Sequence, residues 1–343
     1  MKKIILAVLL IILIGGGIAA WLVFGSGTAF SEKTKQVFIT ADETGKDALV
    51  KKLTVENIVS NTTTFTALAG QMNLWSKMKP GKYEFKKGQS TISIIRMLRN
   101  NQQAEIKLVI NKLRIKQDLA KLVGKSFQAD SASVFSFLSS NDSLKQFNVD
   151  TNTVYTIILP DTYKFYYTTS FKKMMQTFAD ASKKYWAEDN RAQKAAALNF
   201  SPQQIVTIAS IVEEETNANA EKGNIASVYM NRIATNMKLG ADPTVKFALK
   251  DFGLKRIYYK HLAVDNPFNT YKNYGLPPGP ICTPTRTTVD AVLNAPKTDY
   301  YYFVASSEFN GTHTFATTYE QHLTYAREYQ KKLDEYMARK QNK

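Results

Sequence analysis

The segment SPQQIVTIASIVEEET, Ser201 to Thr216, decides the architecture of the C-terminal half of this chain, because it is typical of one long helix. Ser201 is suited to cap that helix, Pro202 to lie in its first turn, and Gln204 to complete a capping box. Apolar residues then recur at the spacing of a buried helix face, at Ile205, Ile208, Ala209 and Val212. We therefore predict a helix that packs one stripe against the core and ends in consecutive glutamates.

The three glutamates of this run point in different directions, because each residue of a helix is rotated by about 100° from the last. Glu214 lies opposite the apolar stripe and is predicted to be solvated, whereas Glu213 and Glu215 lie on its two shoulders. The helical neighbours of Glu215 are apolar, at Ile208, Ile211 and Val212. A half-buried carboxyl has a raised pKa, since desolvation and adjacent carboxylates both disfavour its charged form. That is the state a general acid needs, although acidic runs on helices are more often solvated faces.

The N-terminus has the length and composition of a membrane anchor. Residues 1–3 form a short basic tail, and the apolar run from Ile4 to Phe24 has roughly the twenty residues that a bilayer-spanning helix requires. An uncleaved anchor is favoured over a signal peptide, whose apolar core is about 7–15 residues long, although small residues near its end leave cleavage open. The basic tail predicts that residues 1–3 are cytoplasmic and that the rest of the chain is periplasmic or extracytoplasmic.

Composition predicts a folded protein beyond this segment. The chain has 343 residues, 44% hydrophobic, and a net charge of +16, which is enough for a sizeable core divided between two domains. The positive charge favours an anionic surrounding such as the cell envelope, and beyond the membrane a nucleic-acid partner is not expected. The single cysteine, Cys282, excludes an internal disulfide and any zinc site made of several cysteines.

We predict an α+β fold with a small N-terminal module and a mixed α/β catalytic domain. After a linker at 25–35, residues 36–111 alternate between short strands and helices, and the Gly81 to Tyr83 turn with its Ser/Thr-led helix resembles the LysM-like modules of cell-wall enzymes. Residues 112–200 are a connecting region, and residues 201–343 are the catalytic domain. A second helix is predicted over Asn224 to Ile233, packed against the glutamate-bearing helix.

The loops of the last third carry residues suited to binding sugars. The predicted loops are the segments Gly240 to Val245, Asn266 to Tyr271 and Gly275 to Ile281. Stiff loops that present Asn, Thr and Tyr beside prolines can hydrogen-bond hydroxyl and N-acetyl groups and stack on sugar rings. The alternative, that Gly and Pro merely shape connections, fits the composition equally well. His313 could contact a substrate or pack in the core, and packing is slightly favoured.

Taken together, an ordered set of sequence blocks resembles the MltG-type (YceG-like) endolytic murein transglycosylases. The blocks are IASIVEEET (Ile208 to Thr216), ASVYMNR (Ala226 to Arg232), ADPTV (Ala241 to Val245), NTY (Asn269 to Tyr271), GLPPGPI (Gly275 to Ile281), YFVA (Tyr302 to Ala305) and HTF (His313 to Phe315). The resemblance implies that Glu215, the glutamate before Thr216, is catalytic. Glu214 departs from the family pattern, in which the middle position is often basic, and Pro280 replaces a small residue.

The resemblance also implies a reaction. Lytic transglycosylases cleave the β-1,4 bond between N-acetylmuramic acid and N-acetylglucosamine without water, and leave a 1,6-anhydro end. One carboxyl suffices, acting first as acid and then as base. The expected substrate-binding residues are Glu213, Asp242, Asn269, Thr270, Tyr271 and His313. We expect no metal and no cofactor, because the three histidines show no zinc-binding pattern. Cell-wall synthases are the expected protein partners.

Two alternatives remain open. The protein could be a hydrolysing muramidase in which Glu213 or a distant Asp positions water. It could also be a membrane-anchored peptidoglycan-binding or scaffold protein without activity, whose aromatic and Pro-rich loops serve recognition.

Overall fold

The computed structural model describes residues 2–341, without the side chains of residues 2, 3, 19, 22, 340 and 341. Met1 and the side chains of the predicted cytoplasmic tail therefore lie outside the described residues. The chain forms two compact units. Unit 1 comprises the residues through Leu108 together with Ser126–Ala129 and Lys164–Ser170, and unit 2 comprises Val109–Lys125, Asp130–Tyr163 and the chain from Phe171 onward. Most of the predicted connecting region, 112–200, thus belongs to unit 2.

Unit 1 is built around a two-stranded sheet. Its elements are helices α1 (Lys2–Phe24), α2 (Lys46–Val55), α3 (Thr62–Gln71) and α4 (Thr91–Arg99) and strands β1 (Thr34–Ile39) and β2 (Gly81–Lys86). β1 and β2 are antiparallel, with Val37 opposite Tyr83 and Ile39 opposite Gly81. Alternate strand residues and one face of each short helix bury a common apolar core that includes Leu49, Phe65 and Ile94. These short strands and helices agree with the alternation predicted from residue 36 onward.

The apolar side chains of α1 are exposed, Ile4 to 70% and Leu13 to 73% of their full surface. The uninterrupted stretch of described side chains in this helix runs from residue 4 to residue 18. Among the described residues, no helix is long and apolar enough to cross a membrane.

Unit 2 is mainly helical. Its elements are α5 (Lys116–Ser126), α6 (Ser131–Leu138), α7 (Asn141–Leu144), α8 (Phe171–Ala187), α9 (Arg191–Ala197), α10 (Pro202–Glu215), α11 (Lys222–Ala234), α12 (Asp242–Leu249), α13 (Tyr259–Leu262), α14 (Arg286–Leu293) and α15 (Tyr319–Gln341), with strands β5 (Tyr302–Ala305) and β6 (His313–Ala316). β5 and β6 pair antiparallel. The chain also has strands β3 (Ile106–Ile110) and β4 (Asp161–Phe165), which form a two-stranded sheet and belong wholly to neither unit. The mixed α and β content agrees with the predicted fold class.

The central element of unit 2 is α10, the helix predicted from the glutamate-bearing segment. Ser201 caps it, and Gln204 completes the capping box through the Ser201 backbone N–H at 2.8 Å. Residues from Ile205 through Glu213 are all buried, so α10 is covered on every side and not on one stripe. The Ser210 hydroxyl is satisfied inside this core, where it donates to the Thr207 carbonyl and accepts the Ile281 N–H.

One predicted loop is a helix. The segment Gly240 to Val245 was expected to be a loop, but α12 begins within it at Asp242 and has Pro243 in its first turn. This prediction was wrong because an Asp-Pro pair marks a helix start as readily as a turn: proline has no N–H to lose where the first helical donors are unpaired. Gly240 takes the left-handed backbone, with φ of +56°, just before this helix.

Candidate active site

Glu215 is the last residue of α10, and its carboxyl is fixed by a tyrosine of the next helix. The Tyr229 hydroxyl donates a hydrogen bond of 2.5 Å to Glu215 Oε1. Tyr229 is only 1% exposed, whereas Glu215 is partly exposed. The carboxyl therefore lies at the boundary between the core and solvent, with Oε1 held by Tyr229.

Burial raises the pKa of Glu215 to about 7, and the negative charge of Asp242 acts in the same direction. The Tyr229 hydrogen bond and the positive charges of Lys246 and Arg232 oppose this rise. The C-terminal end of a helix is also an unfavourable place for an anion. A pKa near neutrality allows one carboxyl to donate a proton and later accept one. The sequence predicted the raised pKa but attributed the like-charge contribution to Glu213 and Glu214, whereas Asp242 supplies it.

Asp242 and Tyr271, both predicted to bind substrate, are brought together near Glu215. The Tyr271 hydroxyl donates to Asp242 Oδ1 at 2.7 Å. The charge of Asp242 raises the pKa of Glu215, and the charge of Glu215 raises the pKa of Tyr271. Burial and the Asp242 carboxylate raise the pKa of Tyr271, which keeps its hydroxyl protonated. Gly240 is close to this ring, since a Cβ there would lie 3.7 Å from Tyr271 Cε1.

Arg232 holds the backbone around this cluster. Its guanidinium donates to the carbonyls of Leu239 and Tyr301, at 2.5 and 2.7 Å, and lies over the Tyr302 ring at 5.4 Å. Burial lowers the pKa of Arg232 from its usual value. The arginine thereby joins α11 both to the chain entering α12 and to the start of β5.

Glu213 faces the interior and not the cleft, because two residues along a helix rotate a side chain by about 200°. It is 8% exposed. Its Oε2 lies 3.3 Å from the ammonium of Lys222, which is 4% exposed, and accepts hydrogen bonds from Thr285 and Thr288. Glu213 thus connects α10 with α11 and α14. These contacts favour a structural role for Glu213 over the substrate contact that the sequence predicted.

Glu214 was predicted to be solvated, and this was wrong. Arg114 donates two hydrogen bonds to its carboxylate, at 3.2 and 3.0 Å, and Lys112 lies 3.2 Å away. The Glu214 side chain is 17% exposed. A helical wheel shows only the local helix, so it cannot reveal that residues 112–114 cover the outer face of α10.

Asn269 and Thr270, two further predicted substrate ligands, shape the loop from inside. Asn269 is fully buried, donates to the carbonyls of Leu262 and Val264, and accepts the Tyr271 N–H at 3.0 Å. Thr270 is 1% exposed, and its hydroxyl accepts the Ala241 N–H at 3.0 Å. These contacts favour a role in holding Tyr271 and the start of α12 over direct contact with a sugar.

His313 belongs to a polar cluster beside the C-terminal end of α10. Its Nδ1 lies 2.9 Å from Glu221 Oε1, and its backbone N–H donates to Glu221 Oε2 at 2.8 Å. Thr216, the residue after Glu215, donates its hydroxyl to the same carboxylate at 2.5 Å. The His313 ring packs edge-on against Phe303, which also packs against Tyr229. His313 therefore both packs and fixes the end of α10.

Several of these residues were missed by the sequence analysis. Tyr229 fell within the predicted helix at Asn224 to Ile233 but was given no role of its own, although a buried tyrosine hydroxyl needs a partner and so signals a polar contact. Glu221, Lys222 and Arg232 gave no periodic signal. Within the described part of the chain, no group of three or more His, Cys, Asp or Glu side chains is placed to hold a metal ion.

The Glu215 carboxyl lies at the end of a helix, has a pKa of about 7 and is held by a buried tyrosine. These are the features of a site for acid and base chemistry. Residues 37–328 match the model of the YceG-like family. The chain belongs to that family.

Relatives and a solved structure agree with this assignment. The chain is 44% identical over 125 residues to a Bacillus subtilis protein named endolytic murein transglycosylase, a region that is 36% of this chain and 33% of that protein. A Streptococcus pneumoniae protein of the same name is 33% identical over 111 residues, which is 31% of this chain and 20% of that protein. The chain thus matches a third or less of each relative's length. A crystal structure of a YceG-like protein from Listeria monocytogenes has a TM-score of 0.56 and 28% identity, and covers 86% of this chain and 99% of its own.

Proposed function

We propose that this protein is an endolytic lytic transglycosylase that cuts peptidoglycan glycan strands between N-acetylmuramic acid and N-acetylglucosamine. The observation that carries the proposal is the Glu215 carboxyl, whose pKa is raised to about 7 and whose Oε1 is held by Tyr229. Membership of the YceG-like family and the names of the relatives supply the substrate class.

In the first step, protonated Glu215 donates its proton to the glycosidic oxygen while the bond from muramyl C1 to that oxygen breaks. Because Oε1 already accepts the Tyr229 hydroxyl, the proton is best placed on Oε2. The positive charge that develops at C1 is of the oxocarbenium type. The neighbouring Asp242 carboxylate, itself held by Tyr271, would stabilise that charge.

In the second step, the muramyl C6 hydroxyl attacks C1 and transfers its proton to the Glu215 carboxylate. This closes the 1,6-anhydro ring and restores the protonated acid, while the N-acetylglucosamine-ended fragment has already left as an alcohol in the first step. No water is consumed. Glu213 is not needed for this sequence, because its carboxylate is engaged by Lys222 and two threonines.

The N-terminal segment suggests where in the cell this reaction would take place. We infer that residues 4–24 anchor the protein in the bacterial cell membrane, residues 1–3 being cytoplasmic, with the catalytic part outside. The support is the apolar sequence and the exposure of its described side chains. An anchored enzyme would meet new strands near the membrane, end their elongation, and work beside cell-wall synthases. The N-terminal module, predicted from its Gly81 to Tyr83 turn and the following helix to be LysM-like, would orient the glycan.

Product analysis tests the reaction. Purified uncrosslinked glycan is digested with the wild type and with Glu215→Gln, and the new ends are identified by mass spectrometry. We expect anhydro ends from the wild type and a loss of at least about a thousandfold with Glu215→Gln, the scale expected when the sole proton donor is removed. Equal yields from both proteins would refute Glu215 as the acid and base.

The same experiment separates the two alternative functions. Reducing muramic acid ends would indicate a hydrolysing muramidase, for which Asp242 is the carboxylate near Glu215 that could hold water. Binding of glycan without any new ends, by both proteins, would indicate a peptidoglycan-binding scaffold.

A further inference from the structure

A cavity of about 290 Å³ in unit 2 has a strongly basic wall. We call it the basic pocket, and its charged lining residues are Arg114, Lys116 and Lys250. The rest of the wall is mixed, with the apolar residues Phe135, Val154, Phe247, Phe268 and Pro280 and the polar residues Gln117, Ser139, Thr151 and Asn152. Pockets that bind small ligands have volumes from about 300 Å³ upward, so this cavity is near the lower end of that range. Cations beside polar and apolar residues suit a ligand that has both a carboxylate and a hydrocarbon part.

Tyr155, which lines the basic pocket, carries a hydroxyl without a hydrogen-bond partner among the described residues. The residue is 5% exposed, and its hydroxyl oxygen is buried. A buried hydroxyl without a partner is unfavourable, and such groups are uncommon in folded proteins. A ligand that fills the pocket and reaches this hydroxyl as an acceptor would remove that cost.

The charges around the pocket leave two lysines available to a ligand. Burial lowers the pKa of Lys116, and the nearby Lys250 lowers it further, while Asp150 acts against both. Among the described residues neither ammonium makes an ion pair within 4 Å. The acidic neighbours are already engaged: Glu214 by Arg114, Asp118 by the Arg114 and Ile115 N–H groups, and Asp150 by the Thr153 side chain and nearby N–H groups.

Lys250 also occupies an unusual backbone position. It follows α12 in the left-handed conformation, with φ of +55°. Glycine or asparagine would be more favourable there. A lysine at this position is less stable than glycine or asparagine would be, but it places a cation on the pocket wall.

We propose that the basic pocket binds a carboxylate of the peptide stem carried by the glycan strand. This inference rests on the proposed function, since it places the stem on the substrate of the Glu215 site. α12 connects the two places: it begins at Asp242, beside Glu215, and ends before Lys250, about 12 Å further on at 1.5 Å per residue. An extended peptide spans that distance with roughly four residues. Arg114 adds a second connection, because it lines the pocket and holds Glu214.

Direct binding is the test. The full chain carrying Glu215→Gln, in detergent micelles, is titrated calorimetrically with the tripeptide Ala-γ-D-Glu-Lys as the free acid and as the amide of both carboxyl groups. We expect the free acid to bind and amidation to weaken binding at least about tenfold, the effect of losing a charge-assisted hydrogen bond. Lys250→Asn, which retains the left-handed backbone, should weaken the free acid similarly. Lys255→Asn, which removes an exposed lysine outside the pocket, should not.

Tyr155→Phe should change thermal stability and peptide binding in opposite directions. Removal of the unpartnered hydroxyl should raise the melting temperature of the free protein and weaken peptide binding. A purely structural tyrosine would not produce this combination. A fall in both quantities would overturn the role given to Tyr155.

Two outcomes would overturn the assignment of the pocket. One is equal affinity for acid and amide, or equal behaviour of Lys250→Asn and Lys255→Asn. The other is tighter binding of inorganic pyrophosphate than of the peptide with the same dependence on Lys250, which would make the pocket a phosphate site. Cleavage of stem-free glycan by the wild type separately tests the proposed reaction, so absence of peptide binding with intact cleavage refutes the pocket and not the enzyme.

Discussion

The hydroxyl of Tyr229 donates a 2.5 Å hydrogen bond to Oε1 of Glu215. This bond stabilises the charged form of the carboxyl, while burial and Asp242 favour the neutral form. The balance leaves the Glu215 pKa at about 7, where both protonation states are well populated at neutral pH. The position of this balance can be moved in either direction by single substitutions.

Tyr229→Phe should move the Glu215 pKa upward, because it removes the hydrogen bond that lowers it. The alkaline limb of the kcat/KM profile, which reports protonated Glu215 in the free enzyme, should shift to higher pH. We also expect kcat to fall about tenfold through loss of positioning, the scale of one hydrogen bond to a charged group. Rates on uncrosslinked glycan between pH 5 and pH 9 measure both effects. Tyr319→Phe, at a side chain 57% exposed, is the matched control, and an identical limb in both variants would contradict the prediction.

Asp242→Asn should move the same limb in the opposite direction. The Asp242 carboxylate raises the Glu215 pKa, so its neutralisation lowers that pKa and reduces the fraction of acid available at pH 7. If Asp242 also stabilises the developing charge at C1, kcat should fall about a hundredfold even at the pH optimum. Tyr271→Phe frees Asp242 Oδ1 and should give a smaller change of kcat. A variant that changes KM but neither kcat nor the limb would instead assign Asp242 to substrate binding.

The raised pKa of Glu215 also predicts a dependence of stability on pH. Its usual value is 4.5 and its value in the folded protein is about 7, so the folded state binds more protons between these values. Stability therefore falls as pH rises from about 4.5 to about 7, by at most roughly 3 kcal/mol. Glu215→Gln lacks this titration. Urea unfolding at pH 5 and pH 8 should show that the variant gains stability relative to the wild type at the higher pH. A difference that is constant between the two pH values would contradict the raised pKa.

The part of the site that local periodicity governs could be predicted from the sequence. The Ser201 cap, the bounds of α10 and the position of Glu215 at the edge of the core all follow from residues within one helix. The burial of Glu214 could not be predicted in this way, because residues 112–114, about a hundred positions away, cover it.

The sequence also could not show whether a polar loop residue faces the protein interior or a bound substrate. Asn269, Thr270 and Tyr271 are adjacent in the sequence and were all predicted to bind substrate. The amide of Asn269 and the hydroxyl of Thr270 satisfy backbone groups inside the loop, and Tyr271 extends to Asp242. Composition identifies polar groups that can hydrogen-bond, but the partner depends on which backbone groups the fold leaves unpaired.

The buried pair of Glu213 and Lys222 gives a test that separates structure from catalysis. Glu213→Gln leaves the Lys222 ammonium, 4% exposed, without its counter-charge, which should cost about 3–5 kcal/mol of unfolding free energy. The double variant Glu213→Leu, Lys222→Met removes both charges, and Thr285 and Thr288 can still bond each other, as they do at 2.9 Å. We therefore expect the double variant to unfold at higher urea concentration than the single variant and to retain the wild-type KM for glycan. If Glu213→Gln unfolds like the wild type but raises KM, Glu213 contacts the substrate after all, since a structural ion pair cannot be broken at no cost to stability.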